Sequence, residues 1–212
     1  MADQPRQLTA PSHAAAHLLQ YHDLIESIVS ALDARDTYTA SHSNRVADMV
    51  LVLAAALGLD PDETALIHIA AHLHDIGKIA VPDAVLRKTG PLTADEWQEM
   101  RRHPVTGYNI LRRVADFQDI AVLVLHHHER WDGRGYPDGL RGDRIPISAQ
   151  VVAMADVYDA LVSKRVYKDA YAPDVAVQMI LHGDCGAFNP LLLDCLTDLQ
   201  DTFKAELAAP EA

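Results

Sequence analysis

Apolar residues recur at helical spacing near the start of the chain. From Leu18 to Leu32 they step by three and then four positions, which predicts a long first helix with a narrow apolar seam. The seam consists of Leu18, Tyr21, Ile25, Ile28 and Leu32. It covers only about two heptads, which is short for a coiled coil. Packing on the chain's own core and homodimerisation through this helix therefore both stay open.

Helical patterns continue through the rest of the chain, and the alternation typical of strands is nearly absent. They cover the ranges 43–57, 62–74, 93–102, 104–113, 120–128, 148–162, 173–181 and 190–203. Asp60 precedes Pro61, and Thr93 is followed three residues later by Glu96, as expected at helix starts. The longest irregular stretch, 132–146, contains four glycines and two prolines, which a helix would not tolerate. The patterns predict an all-α fold, a single helical bundle with one irregular loop.

Composition narrows the class of protein. Of the 212 residues, 49% are hydrophobic and 23% are charged, as in ordinary globular domains. No apolar run approaches the roughly 18 residues of a membrane span, and the start MADQPRQLTAPS lacks signal-peptide order. We therefore expect a cytoplasmic protein. The formal net charge of −12 argues against a polymeric nucleic-acid partner, which would require a broad basic surface.

Histidine and aspartate supply the candidate chemistry. The chain has 12 histidines, and histidine is the commonest metal ligand. His74 and Asp75 end an apolar helix, and Asp156 interrupts another, where a carboxylate is costly unless it is paired or binds metal. Further imidazoles at helix ends or flanks are His42, His103, His127 and His128. Nitrogen-rich donors without thiolates suit Fe or Mn better than Ca or structural Zn.

Two other histidines have the spacing of a zinc-protease helix. His68 and His72 are four residues apart, but Ile69 stands where that motif requires a glutamate. We assign them no role from the sequence.

Three segments together resemble the HD-GYP family of cyclic di-GMP phosphodiesterases, within the metal-dependent HD-domain phosphohydrolases. They are HDIGK at 74–78, HHERWDGRGYP at 127–137 and ADVYDAL at 155–161. The likeness extends over roughly 32–203 and implies an HD-type helical bundle with a GYP loop. Accordingly, we expect an N-terminal tail at 1–13, a packing or dimer-linking helix at 14–35, a catalytic domain at 36–204 and a C-terminal tail at 205–212.

The resemblance implies two divalent ions per chain, Fe or Mn. The implied ligands are His42, His74, Asp75, His103, His127, His128 and Asp156. Asp75 would bridge the ions, with His42, His74 and Asp156 completing one and the remaining three histidines the other. Some family members hold a third ion through a glutamate four residues before the first histidine, where this chain has Tyr38.

The resemblance also implies catalytic and substrate-binding residues. Asp75 and Lys78 are the implied catalytic pair, with Lys78 stabilising an oxyanion or the leaving oxygen; otherwise Lys78 is a solvated cation. Tyr136 of the Gly135–Tyr136–Pro137 loop would contact a guanine or a phosphate, or else pack on the adjacent helix. The basic residues Arg165 and Lys168 would attract an anionic ligand, or else are solvated.

The implied reaction is hydrolysis of cyclic di-GMP to pGpG and then to GMP. One alternative is a non-catalytic cyclic di-GMP receptor that acts through protein partners such as diguanylate cyclases. Another is a hydrolase of a different cyclic dinucleotide. A sensory protein or a second copy of the chain is a further expected partner.

Overall fold

The fold consists of helices joined by short turns and one long loop. The computed structural model describes residues 20–35, 41–164 and 169–207, and over these it contains no strand. The predicted all-α fold is confirmed. The α-helices are α1 (His22–Asp33), α2 (His42–Leu57), α3 (Pro61–Leu73), α4 (Asp83–Leu86), α5 (Ala94–Met100), α6 (His103–Leu111), α7 (Gln118–His126), α8 (Ile147–Val162), α9 (Pro173–Leu181) and α10 (Pro190–Leu207). Short 3-10 helices lie at Ile76–Ala80, Ala115–Phe117 and Gly142–Arg144.

Local capping explains where several helices begin and end. The Asp60 side chain accepts hydrogen bonds from the first backbone N–H groups of α3. Thr93 and Glu96 form the predicted capping box before α5. Gly58 ends α2 in the left-handed conformation, at φ 66°. One predicted helix end was wrong. The last helix was expected to end at 203, but α10 runs to Leu207 and so into the expected C-terminal tail.

Helix α3 lies at the centre of the bundle. It packs against α1, α2, α7 and α8, and Ile67, Ile69 and Ala71 are almost fully buried. Because other helices surround α3, the residues at its end lie in the interior of the bundle. His74 and Asp75 follow α3 directly, and this position accounts for their burial.

Helix α1 packs on the chain's own core. Ile25, Val29 and Leu32 are buried, whereas Ile28 is 44% exposed. The predicted seam was therefore wrong at Ile28, because the 3.6-residue period turns Val29 toward the core instead. Homodimerisation through α1 stays a prediction.

Several predicted features lie outside the described residues: Tyr38, Arg165, Lys168 and the N-terminal tail 1–13. None of the helices in the described part combines the length and apolar character needed to cross a bilayer.

Candidate metal centre

All seven predicted ligands converge on one interior region of the bundle. His42 begins α2, His74 and Asp75 follow α3, and His103 begins α6. His127 and His128 follow α7, and Asp156 lies within α8. Apart from Asp156, each of these residues lies at or next to the end of a helix. Packing of five helices then brings the side chains together.

Backbone carbonyls orient three of these imidazoles. In each case Nδ1 lies within hydrogen-bond distance of the carbonyl oxygen three residues earlier. The pairs are His74 with Ala71 at 2.6 Å, His103 with Met100 at 2.8 Å, and His127 with Val124 at 2.7 Å. A carbonyl only accepts, so Nδ1 is the donor, and in the neutral imidazole Nε2 keeps its lone pair. The three Nε2 lone pairs are thus available to a cation.

The ligand atoms form two groups of three. One ligand atom from each of His42, His74 and Asp75 lies within 4.8 Å of the other two, and the same holds for His103, His127 and His128.

Asp75 reaches toward both groups. Its Oδ2 lies 3.4 Å from His74 Nε2, and its Oδ1 lies 3.4 Å from His103 Nε2. Lys78 Nζ lies 2.6 Å from Oδ2. Burial alone would raise the pKa of the Asp75 carboxyl, but Lys78 and His74 hold it well below its usual range. Asp75 is therefore an anion whose two oxygens face different histidines.

The donor set fits a bound cation better than it fits an empty interior. His103 Nε2 and His127 Nε2 face each other at 3.3 Å, although both have their proton on Nδ1. Two lone pairs so close repel unless a positive charge lies between them. His74 Nε2 is buried and forms no hydrogen bond with the described residues, although Asp75 Oδ2 lies 3.4 Å away. Burial also lowers the pKa of His127, and that of His128 to about 3, which keeps both rings in the neutral, metal-binding form.

His42 is held between two carboxylates of α8. Its Nε2 lies 3.2 Å from Asp156 Oδ1, and its Nδ1 lies 2.6 Å from Asp159 Oδ2. Arg45 Nε donates to Asp159 Oδ1 at 2.6 Å. Burial opposes charge on His42, but the bonds to Asp156 and Asp159 raise its pKa to about 9. Sequence reasoning missed Asp159, although a second carboxylate one turn after Asp156 in an apolar helix was a usable signal.

The GYP loop is held by Glu129, a second residue whose role the sequence did not reveal. The Glu129 side chain is 5% exposed and accepts three backbone N–H groups of the loop. The donors are Asp138 at 2.7 Å, Gly139 at 3.0 Å and Leu140 at 2.9 Å. At Gly135 a Cβ would collide with the backbone nitrogen of Arg130, so only glycine fits there.

Tyr136 packs beside His128 at the candidate metal centre. Its ring centroid is 4.8 Å from that of His128, and the Arg101 guanidinium carbon lies 5.0 Å from its ring. Burial raises the pKa of the Tyr136 phenol above its usual value. The side chain is thus a neutral hydrogen-bond donor at the edge of the site.

A cavity of about 700 Å³ opens onto the candidate metal centre. The centre contributes His42, Asp75, Lys78, His103, His128, Tyr136 and Asp156 to its wall. The facing wall comes from 85–86, 88–92, Trp97 and Met100. It includes Lys88, which is paired with Glu96 at 2.6 Å. Sequence reasoning missed Lys88 and Trp97. Gly135 and Pro137 shape the loop but do not line this cavity.

The fold and the histidine–aspartate centre define the class of protein. A family model described as "HD domain" matches residues 23–185, so the chain belongs to the HD domain family. The phosphohydrolases of this family are metal-dependent.

Curated relatives place the chain more closely. It is 43% identical over 176 residues to "Cyclic di-GMP phosphodiesterase response regulator RpfG" of Xanthomonas campestris pv. campestris, covering 82% of this chain and 47% of that protein. It is 40% identical over 185 residues to "3'3'-cGAMP-specific phosphodiesterase 2" of Vibrio cholerae serotype O1, covering 86% and 35%. The chain thus spans about half or less of these relatives. The resemblance to the HD-GYP family is confirmed.

Among solved structures, an HDG"Y"P protein from Bdellovibrio bacteriovorus shares the fold. Its TM-score is 0.65 at 22% sequence identity, with 90% of this chain and 61% of that chain covered.

Proposed function

We propose that the chain is a metal-dependent phosphodiesterase that hydrolyses cyclic di-GMP to pGpG. The single observation that carries this proposal is the pair of histidine groups facing the two oxygens of Asp75 beside a cavity of about 700 Å³. The family and the names of the curated relatives support the same reaction class.

Two divalent ions, Fe or Mn, would occupy the centre. Asp75 would be shared by both. His42, His74 and Asp156 would complete one ligand set, and His103, His127 and His128 the other. Bound ions would supply an activated water nucleophile and neutralise charge that develops on the phosphoryl oxygens. Tyr38 supports two ions per chain and not three, because a neutral phenol is a poorer ligand than the glutamate of family members that hold a third ion.

Lys78 provides the side-chain positive charge of the proposed mechanism. Its Nζ lines the cavity and lies 2.6 Å from Asp75, which positions the ammonium beside the proposed ion sites. From there Nζ can donate a hydrogen bond to a phosphoryl oxygen and can give a proton to the leaving oxygen. Such a donor acts mainly on the transition state, because that is where the oxygen charge is largest.

The two walls of the cavity suit different parts of a cyclic dinucleotide. Tyr136 offers a neutral hydroxyl on the metal side, where a phosphate would lie. Trp97, 49% exposed, offers an aromatic face on the opposite wall for a purine base. Lys88 adds a cation for the second phosphate. Arg165 and Lys168 are proposed to add to this positive charge.

A second candidate substrate follows from one similarity. The relative named as specific for 3'3'-cGAMP is almost as similar to this chain as the one named for cyclic di-GMP. Both ligands have the same ring of two phosphodiesters and differ in one base. The proposal also includes a cytoplasmic location and regulation by a sensory protein or a diguanylate cyclase. GMP would be a final product that forms more slowly.

The test is a turnover assay with the purified full chain. The chain is loaded with Fe(II) or Mn(II) under anaerobic conditions and incubated separately with cyclic di-GMP and 3'3'-cGAMP. Chromatography over time should show the linear dinucleotide, and no product with metal-stripped protein. Binding of either ligand without turnover under any reduced metal would favour the non-catalytic receptor.

A further inference from the structure

A second cluster of histidines lies where α1 meets α3, apart from the candidate metal centre. His68 and His72 are one helical turn apart on α3, and His22 is the first residue of α1. The rings of all three are in contact, with centroid separations of 5.4, 4.9 and 4.7 Å. The third histidine comes from 46 residues before His68, so the helix spacing alone could not reveal the cluster.

The ring nitrogens of the three histidines lie close enough together to surround one small cation. One nitrogen from each histidine lies within 4.8 Å of the others, and His22 Nε2 is 3.3 Å from His68 Nε2. Bonds of about 2.0–2.1 Å in a tetrahedral zinc site place neighbouring nitrogens roughly 3.3 Å apart. The His22–His68 pair already has that separation.

His72 provides an independent indication of a ligand. It is 3% exposed, and neither of its ring nitrogens has a hydrogen-bond partner among the described residues. Buried polar side chains are nearly always paired, because an unpaired one loses its hydration without compensation. A metal ion bound to one nitrogen would supply the missing partner.

The surroundings of the other two rings also suit metal binding. His68 Nδ1 lies 3.3 Å from the Ala47 carbonyl oxygen, which directs its Nε2 lone pair toward His22. The carboxylates of Asp23 and Glu26 lie 3.9 and 4.0 Å from His22 Nδ1. These anions would offset the positive charge of a bound ion.

We propose that His22, His68 and His72 bind one divalent ion of the zinc class. Three imidazoles without a thiolate are typical ligands for zinc, nickel or copper, and leave a fourth position to water. The ion would crosslink α1 to α3, because it would have ligands on both helices. His74 and Asp75 directly follow α3. Binding of this ion would therefore also stiffen the helix that leads into these two proposed ligands of the candidate metal centre.

Zinc stoichiometry tests the site directly. The full chain is stripped with a chelator, reloaded with Zn(II), freed of excess metal by gel filtration and measured by elemental analysis. His22→Gln, His68→Gln and His72→Met should each hold one equivalent less than the wild type. His182→Gln is the matched control, since His182 is exposed at the end of α9 and belongs to neither cluster. His72→Met places an apolar side chain at a buried position where the histidine makes no hydrogen bond to the described residues, so it should fold.

Hydrogen exchange locates the lost equivalent. Zinc should slow exchange of the α1 backbone amides in the wild type and in His182→Gln, but not in the three cluster variants. The proposal is overturned if the cluster variants hold as much zinc as the wild type, whatever the exchange shows. It is also overturned if His182→Gln loses the same equivalent, which would indicate nonspecific binding to histidines.

Discussion

Asp159 accepts a 2.6 Å hydrogen bond from Nδ1 of His42, a residue 117 positions earlier in the chain. The bond fixes the plane of the imidazole and directs Nε2 toward Asp156 and the candidate metal centre. Arg45 holds the carboxylate from its other side. Asp159 is thus a positioning residue for a proposed ligand.

Replacing Asp159 by asparagine should weaken metal binding while the fold is kept. The amide cannot supply the negative charge that orients the ring and increases its basicity, and loss of such a partner typically costs about 10–100-fold in metal affinity. Competition with a chromogenic chelator measures the change. Asp194→Asn, at an exposed position of α10, is the control and should bind metal like the wild type. Unchanged affinity in Asp159→Asn would remove its positioning role.

Metal uptake should become tighter as pH rises. Without metal the pKa of His42 is raised to about 9, so at neutral pH its imidazole is protonated and must release a proton when metal binds. Below this pKa, each unit of falling pH should weaken the apparent affinity about tenfold through this group. Mn(II) titrations at several pH values between about 6.5 and 8 measure how the apparent affinity depends on pH. A flat profile would contradict the protonated state of His42.

Replacing Asp75 by alanine should abolish turnover and release metal. A shared carboxylate serves both proposed ion sites, and its removal also leaves Lys78 facing the histidines without its anion. Elemental analysis and the turnover assay are made on the same preparation. Retention of near-normal metal would show that Asp75 does not bridge the ions.

Replacing Lys78 by alanine should lower kcat while metal stays bound. Loss of a donor to a developing oxyanion typically costs about 10²–10³ in kcat. Lys88→Ala is a useful comparison, because Lys88 lines the facing wall and should change KM more than kcat. The two variants are compared by steady-state kinetics and metal content. An unchanged kcat in Lys78→Ala would show that Lys78 acts only as an ion-pair partner of Asp75.

Replacing Gly77 by alanine should disturb the centre through packing alone. A Cβ there would overlap the carbonyl oxygen of His103 and lie 2.6 Å from the nitrogen of Gly107. The 3-10 helix after Asp75 would be pushed away from α6, which should destabilise the fold by about 1–3 kcal/mol and lower metal content. Gly90→Ala is the control, since its Cβ would meet no atom within 4 Å. Urea unfolding and elemental analysis measure both effects.

The sequence by itself determined the local features of this protein. Helical periodicity and capping residues set most helix boundaries, because these depend on side chains only a few positions apart. The match of HDIGK, HHE and GYP segments to one family determined the proposed ligand types and their numbering.

Only the tertiary structure decided which side chains meet. The packing of whole elements decides that Asp159 bonds to His42 and that Glu129 accepts hydrogen bonds from the GYP loop. It also decides that His22 approaches His68 and His72. No local period encodes such contacts, because they arise from the relative placement of whole helices and loops. For the same reason His68 and His72 had no interpretation until α1 brought a third imidazole beside them.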